Sequence, residues 1–247
     1  MIVARKHRWF NRWFAGHARA RLAATFSAVR IAGLEHLRRA SAEGPLVIIS
    51  NHTAWWDPLV ALYLANHVIE GDWYAMMNAR NLTRLPFFAL VGAFGVDLDD
   101  PADGARAMRY AVKCLNAPKR AVWIFPQGAE RCPTERPLAF RGGSAEVARL
   151  ARAQTVPVAL RYEFRHAEHP ELLIDIGPCL APERDVAAAR ARHEAAVTAG
   201  LDRIDAALCA DALAAYEPVL RRPPDRVGAF FERLLSRLTA RRALGPG

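Results

Sequence analysis

Short, continuous apolar runs bounded by Gly and Pro alternate with stretches of helical period along most of this chain. The run "GPLVIISNH" predicts a buried strand over Leu46–Ser50, announced by Gly44-Pro45. Residues 29–34 (VRIAGL) read as a short strand closing at a glycine, and residues 72–77 (DWYAMM) as another. A short helix near 81–90 and the strand of "GAFGVDL" follow. A helix over 103–116 leads into "RAVWIFPQG", a buried strand from Arg120 that ends in a Pro/Gly loop. Beyond a helix over 143–153, "TVPVALRYEF" and "ELLIDIGPCL" are two more strands. Strands alternating with helices predict an α/β domain: a mixed, largely buried sheet flanked by helices.

The pattern changes at both ends. Residues 1–43 are predicted to open with a basic amphipathic helix, residues 44–180 form the layered domain, and residues 181–247 are predicted as a helical extension packed on that domain. In the extension Val197, Leu201, Ile204 and Leu208 mark one apolar face, and Val227, Phe230, Phe231, Leu234, Leu235 and Leu238 another.

From Met1 to Leu34 no acidic residue occurs, while Arg5, Lys6, Arg8, Arg12, Arg19, Arg21 and Arg30 are basic. Trp9, Phe10, Trp13 and Phe14 fall at i, i+4 spacing among them and form an aromatic stripe. A basic flank with a Trp/Phe stripe is the composition of a helix lying in a membrane interface. The same stripe can also pack on the protein's own core. No signal-peptide core survives the interrupting arginines. The longest uncharged apolar run, "LPFFALVGAFGV", is shorter and more broken than the roughly 18 apolar residues of a spanning segment.

The net charge of +9 points to an anionic partner. Because the basic residues are interleaved with apolar helix faces and no reader motif occurs, nucleic acid is set aside in favour of membrane lipids. The four cysteines (Cys114, Cys132, Cys179, Cys209) are scattered without ligand spacing, which predicts reduced thiols in a cytoplasmic protein on the inner face of the membrane.

The candidate chemistry lies in "NHTAWWDP", where His52 and Asp57 follow the Leu46–Ser50 strand. Five positions on one helix would put them about 140° apart, so they meet only if the chain turns between them. Two ligands are too few for a metal site. A His-Asp dyad, in which the carboxylate holds the proton of one ring nitrogen and the other nitrogen acts as base, suits the pair. Ser50 precedes the histidine on a buried strand, and "GGSAE" lacks the last glycine of a nucleophile elbow. With no protein nucleophile in sight, the hydroxyl to be activated is a substrate's. Water in its place would make a hydrolase, and loss of the chemistry a binding protein.

The ordered set of HxxxxD after a buried strand, Phe125-Pro126-Gln127-Gly128 after a later one, and the "VPVA" strand resembles the glycerolipid acyltransferase family over roughly residues 44–180. The resemblance implies that residues 44–180 are a catalytic domain. Its reaction is transfer of a fatty acyl group from coenzyme A or acyl carrier protein to a lipid hydroxyl, most often that of a 1-acyl-glycerol-3-phosphate. It implies no metal, no cofactor and no covalent intermediate. His52 would be the base and Asp57 its orienting partner. Phe125, Pro126, Gln127 and Gly128 would shape the acceptor pocket, and Pro157 the strand beside it. In this resemblance the acceptor's phosphate is gripped by two arginines, but this chain has Leu98 and Glu130 at those places, with Asp97, Asp99 and Asp100 nearby, and Arg131, displaced by one, is the residue expected to bind the substrate phosphate instead. A non-phosphorylated lipid alcohol is therefore the alternative acceptor.

Overall fold

The computed structural model describes residues 1–223 of the chain. Helix α1 (Arg8–Thr25) leads to β1 (Ala28–Ala32), α2 (Leu34–Glu43) and β2 (Leu46–Ser50). After the motif loop come α3 (Asp57–Tyr63), extended by a wide turn over Leu64–Val68, then β3 (Asp72–Asn78), α4 (Ala79–Arg84) and a 3₁₀ segment, Pro86–Val91. β4 (Ala93–Val96), α5 (Pro101–Cys114), β5 (Arg120–Ile124), α6 (Gly143–Ala151), β6 (Gln154–Glu163), β7 (Glu171–Ile176), α7 (Val186–Cys209) and β8 (Glu217–Arg221) complete it.

All eight strands join one sheet in the order β4-β3-β5-β2-β6-β7-β1-β8. The five strands from β4 to β6 are mutually parallel, β7 runs antiparallel to β6, and β8 antiparallel to β1. Both faces are covered, which is why the strands read as continuous apolar runs rather than as alternation. In β2, Leu46 and Ile48 enter the cluster with Leu22, Leu37 and Val60 of α1, α2 and α3 and with Phe26, which follows α1. Val47 and Ile49 enter the opposite one with Ala107, Val147 and Val197 of α5, α6 and α7. The mixed α/β sheet flanked by helices is the architecture expected from the pattern.

Two expectations are corrected. The segment after Pro182 is not helical throughout, because β8 returns to pair with β1 as the outer strand of the sheet. The aromatic stripe is split rather than single. Phe14 packs on Phe87 and Phe88, with ring centroids 5.2 and 5.9 Å away, whereas Trp9 and Trp13 are 69% and 56% exposed. Ala15, Ala18 and Leu22 of α1 are fully buried, so this helix is part of the core as well as of the surface. The sheet draws β1 from residues 1–43 and β8 from residues 181–247. The apolar face from Val227 to Leu238 lies outside the described residues.

Candidate active site

β2 is flanked by β5 and β6, and its C-terminal end opens onto the crevice where ligands bind in parallel sheets. There Asn51 closes the strand in an unusual way. Its amide takes the place of a strand residue: Nδ2 donates to Leu160 O at 2.9 Å, and Oδ1 accepts from Leu160 N at 2.8 Å. The next residues turn away from β6 and bring His52 and Asp57 together. The His52 Nδ1–H donates to Asp57 Oδ2 at 2.7 Å. The same Oδ2 accepts from the backbone N–H groups of Thr53 and Ala54 at 2.8 and 3.1 Å.

An Asp-Pro pair at a helix start predicts a side-chain cap for α3, yet no side chain caps α3, and the Asp57 carboxylate points back into its own loop. Three donors that precede the aspartate outcompete the helix N-terminus that follows it. Because the carboxylate accepts at Nδ1, the Nε2 lone pair of a neutral His52 is left to face the cavity.

The segment after β5 supports this geometry from the other side. Gln127 is buried and its Oε1 accepts from the His52 backbone N–H at 2.7 Å. The Phe125 ring stacks on the His52 imidazole, centroids 4.4 Å apart. Gly128 adopts φ 76°, and a Cβ there would stand 3.0 Å from Leu98 Cδ1, so glycine alone fits without strain. The Pro126 carbonyl accepts from Arg141 N at 2.9 Å. Arg131 meets the motif only through its backbone N–H, which donates to the His52 carbonyl at 2.8 Å, while its guanidinium pairs with Glu135. Pro157 pairs with Ile49 in the sheet and packs beside Gly177. Of the residues expected at the substrate, Phe125 and Gly128 line the cavity, and Pro126, Gln127, Arg131 and Pro157 do not.

Sequence reasoning missed Tyr162. Its hydroxyl donates to Asp57 Oδ1 at 2.5 Å from 105 positions away. Burial first, then the adjacent Asp57 carboxylate, hold this phenol well above its ordinary value, so it remains a donor. The available signal was its place on a strand face: Val156, Val158 and Leu160 all enter the core, and a tyrosine next in that period needs a partner for its hydroxyl.

His52 opens onto a cavity of about 730 Å³ lined by residues of α3, of the 3₁₀ segment and of β3 from Trp73 to Asn78. Its interior is apolar, with Ala61, Leu62, Trp73, Phe88, Val91 and Trp123 in the wall. Leu98, Phe125, Gly128 and Glu130 stand in the wall with His52, and the cations in it are Arg80 and Arg84 of α4. Arg80 already pairs with Asp99 at 2.9 Å. Asp100 caps α5, and the Asp97 carboxylate accepts from the Asp99 N–H, so the acids near Leu98 serve their own loop. Among the described residues no Ser, Thr or Cys lines the cavity. Ser50 is buried and accepts from Trp123 Nε1, and Ser144 is buried beside His193 on the far face of the sheet. At the mouth Trp55 is 54% exposed, and the Arg21 guanidinium of α1 lies 5.9 and 5.5 Å from the Trp55 and Trp56 rings.

A protein-family model described as Acyltransferase matches residues 28–161. A Saccharomyces cerevisiae protein named 1-acyl-sn-glycerol-3-phosphate acyltransferase is 23% identical over 137 residues, which is 53% of this chain and 42% of that protein. The chain thus aligns with less than half of the yeast protein's length. Among solved structures, the Thermotoga maritima 1-acyl-sn-glycerophosphate (LPA) acyltransferase PlsC superposes with a TM-score of 0.55 at 19% identity, covering 81% of this chain and 79% of that one. At that identity the likeness is one of fold.

Proposed function

Because this chain belongs to the acyltransferase family, whose model spans more than half of it, we propose that it transfers a fatty acyl group from an acyl thioester of coenzyme A or acyl carrier protein to a lipid hydroxyl. The observation that carries this reading is a buried-carboxylate His-Asp dyad at 2.7 Å facing a largely apolar cavity that, among the described residues, no Ser, Thr or Cys lines. In the reaction His52 Nε2 takes the proton of the acceptor hydroxyl as its oxygen attacks the thioester carbonyl. The tetrahedral adduct expels the thiolate, which takes the proton back from the imidazolium. Asp57 supports the cation that exists between the two steps. Purified protein incubated with a labelled acyl thioester should form acylated lipid only when an acceptor is added. Free fatty acid formed equally with and without acceptor would make it a hydrolase.

The acceptor we favour is of the 1-acyl-glycerol-3-phosphate type, after the names of the yeast and Thermotoga relatives. Its phosphate would be held by Arg84, with Arg80 beside it. Arg84→Ala is then expected to raise the acceptor KM about tenfold or more, the cost of a hydrogen bond to a charged group, and inorganic phosphate should compete. A second reading rests on Leu98 and Glu130 in the wall beside His52, where an apolar side chain and a carboxylate disfavour a dianion. It has a neutral lipid alcohol as acceptor, an indifferent Arg84→Ala and no competition by phosphate. Direct competition between lysophosphatidate and a neutral glycolipid alcohol separates the two.

Among the described residues no helix is long and apolar enough to cross a membrane. We place the protein peripherally at the bilayer surface, with Trp9, Trp13 and Trp55 as the groups that enter the interface near the cavity mouth. A Trp9→Ser/Trp13→Ser variant should bind anionic vesicles at least about tenfold more weakly and keep its thermal stability, since neither indole is buried. Equal binding by variant and wild type would move the contact elsewhere.

A further inference from the structure

Asp57 is fully buried, so its whole charge is distributed among protein donors. Oδ2 serves three of them: His52 Nδ1, Thr53 N and Ala54 N. Oδ1 serves the Tyr162 hydroxyl, at 2.5 Å the shortest of the four contacts and within the range of charge-assisted O–H···O⁻ bonds. The placement of Tyr162 is built in by two observed constraints. The Asn51 amide fixes Leu160 to the end of β2, and the pleat then directs Tyr162, two residues on, to the same face. The ring is held there against Phe26, centroids 5.6 Å apart.

We propose that Tyr162 is a positioning residue that sets the basicity of His52 by sharing the Asp57 carboxylate. The proposal rests on the acyl-transfer reading only in treating the dyad as the reacting pair. Two effects follow from one hydrogen bond. The phenol pins the carboxylate's rotation so that Oδ2 addresses Nδ1. It also draws charge toward Oδ1, in surroundings where no water can do so, and thereby moderates how strongly Asp57 stabilises the imidazolium.

Among the described residues the other charged groups facing this cluster are few. Glu130, from the segment after β5, acts on Tyr162 and disfavours the phenolate. Arg21 from α1 lies over the Trp55 and Trp56 rings, and the Arg131 guanidinium is engaged by Glu135. The hydroxyl is therefore the contact whose removal changes the charge felt by His52 most directly. Without it the carboxylate pairs harder with the imidazolium and the histidine stays charged to higher pH. Since only neutral His52 accepts a proton, the acidic limb of kcat/KM moves upward.

The test is an NMR titration of the His52 imidazole in the full-length protein, assigned by the resonance missing in His52→Ala, for wild type and Tyr162→Phe. The phenylalanine keeps the ring that packs on Phe26. The His52 midpoint is expected to rise by about one unit, with the acidic limb of kcat/KM moving in parallel and the donor KM unchanged. If Tyr162→Phe does not fold, 3,5-difluorotyrosine at position 162 keeps the hydroxyl as a stronger donor and should shift the midpoint downward. Unchanged midpoints, with activity losses that track thermal stability alone, would overturn the proposal and leave Tyr162 as packing. A shifted midpoint in a protein that transfers no acyl group would sink the functional reading and leave this one standing.

Discussion

His52→Ala is expected to lower turnover by about 10²–10⁴-fold, the span of general-base catalysis, and to leave the fold in place. The loop around the residue is held by its backbone: the His52 N–H donates to Gln127 and its carbonyl accepts from Arg131. Neither bond involves the imidazole. Nor does the loss strand a buried charge, because Asp57 retains Thr53 N, Ala54 N and the Tyr162 hydroxyl. The side chain stands at the cavity wall on Phe125, so its removal widens a cavity rather than opening a new one. Thermal melts paired with a labelled-thioester assay check both halves. Near-normal turnover in a folded variant would take the chemistry away from the dyad.

Asp57→Asn should lose nearly as much activity, about 10²-fold or more, through charge rather than shape. An asparagine can direct its oxygen at His52 Nδ1, Thr53 N and Ala54 N, and its NH₂ at the Tyr162 oxygen, whose hydroxyl then accepts instead of donating. The three nitrogen donors keep a partner and the Nδ1–H tautomer survives, while the Tyr162 O–H alone loses its acceptor. What disappears is the carboxylate's support for the imidazolium, and each tenfold loss of rate corresponds to about 1.4 kcal/mol of it. Asp57→Ala makes the contrast, since it leaves His52 and the two N–H groups without a partner. The asparagine variant, with one donor unpaired, should therefore melt slightly below wild type, and the alanine variant clearly below both. Substantial turnover in Asp57→Asn would show that the carboxylate's charge is not needed.

Most strands of the layered domain were legible because burial on both faces writes them as uninterrupted apolar runs; β2 was placed residue for residue. β8 was not, since "EPVLR" carries a proline and follows a long helical pattern. A proline is tolerated there because β8 is an edge strand among the described residues. His52 and Asp57 were legible as a spacing with a turn between them. The direction of the Asp57 carboxylate was not, because a local helix-start signal lost to donors set up by the loop. Gln127 is a finer case: it was expected at the substrate, and its carbonyl instead holds the His52 backbone. Tyr162 depends on a strand register established by Asn51, which no local pattern records.

The strand order also dictates when the dyad can exist during synthesis. β2 pairs with β5 and β6, and β1 with β7 and β8, so neither strand of the first 70 residues pairs with the other. As the chain leaves the ribosome, the loop carrying His52 and Asp57 emerges long before any strand that orients it. Phe125 and Gln127 follow with β5, and the fourth donor to Asp57 follows only near the end of β6. β2 waits unpaired until β5 arrives and β1 until β7, the circumstance in which nascent chains are most prone to associate. A ribosome stalled before residue 162 would thus display the whole HxxxxD motif with its aspartate one donor short, and a β1 strand with neither neighbour yet made.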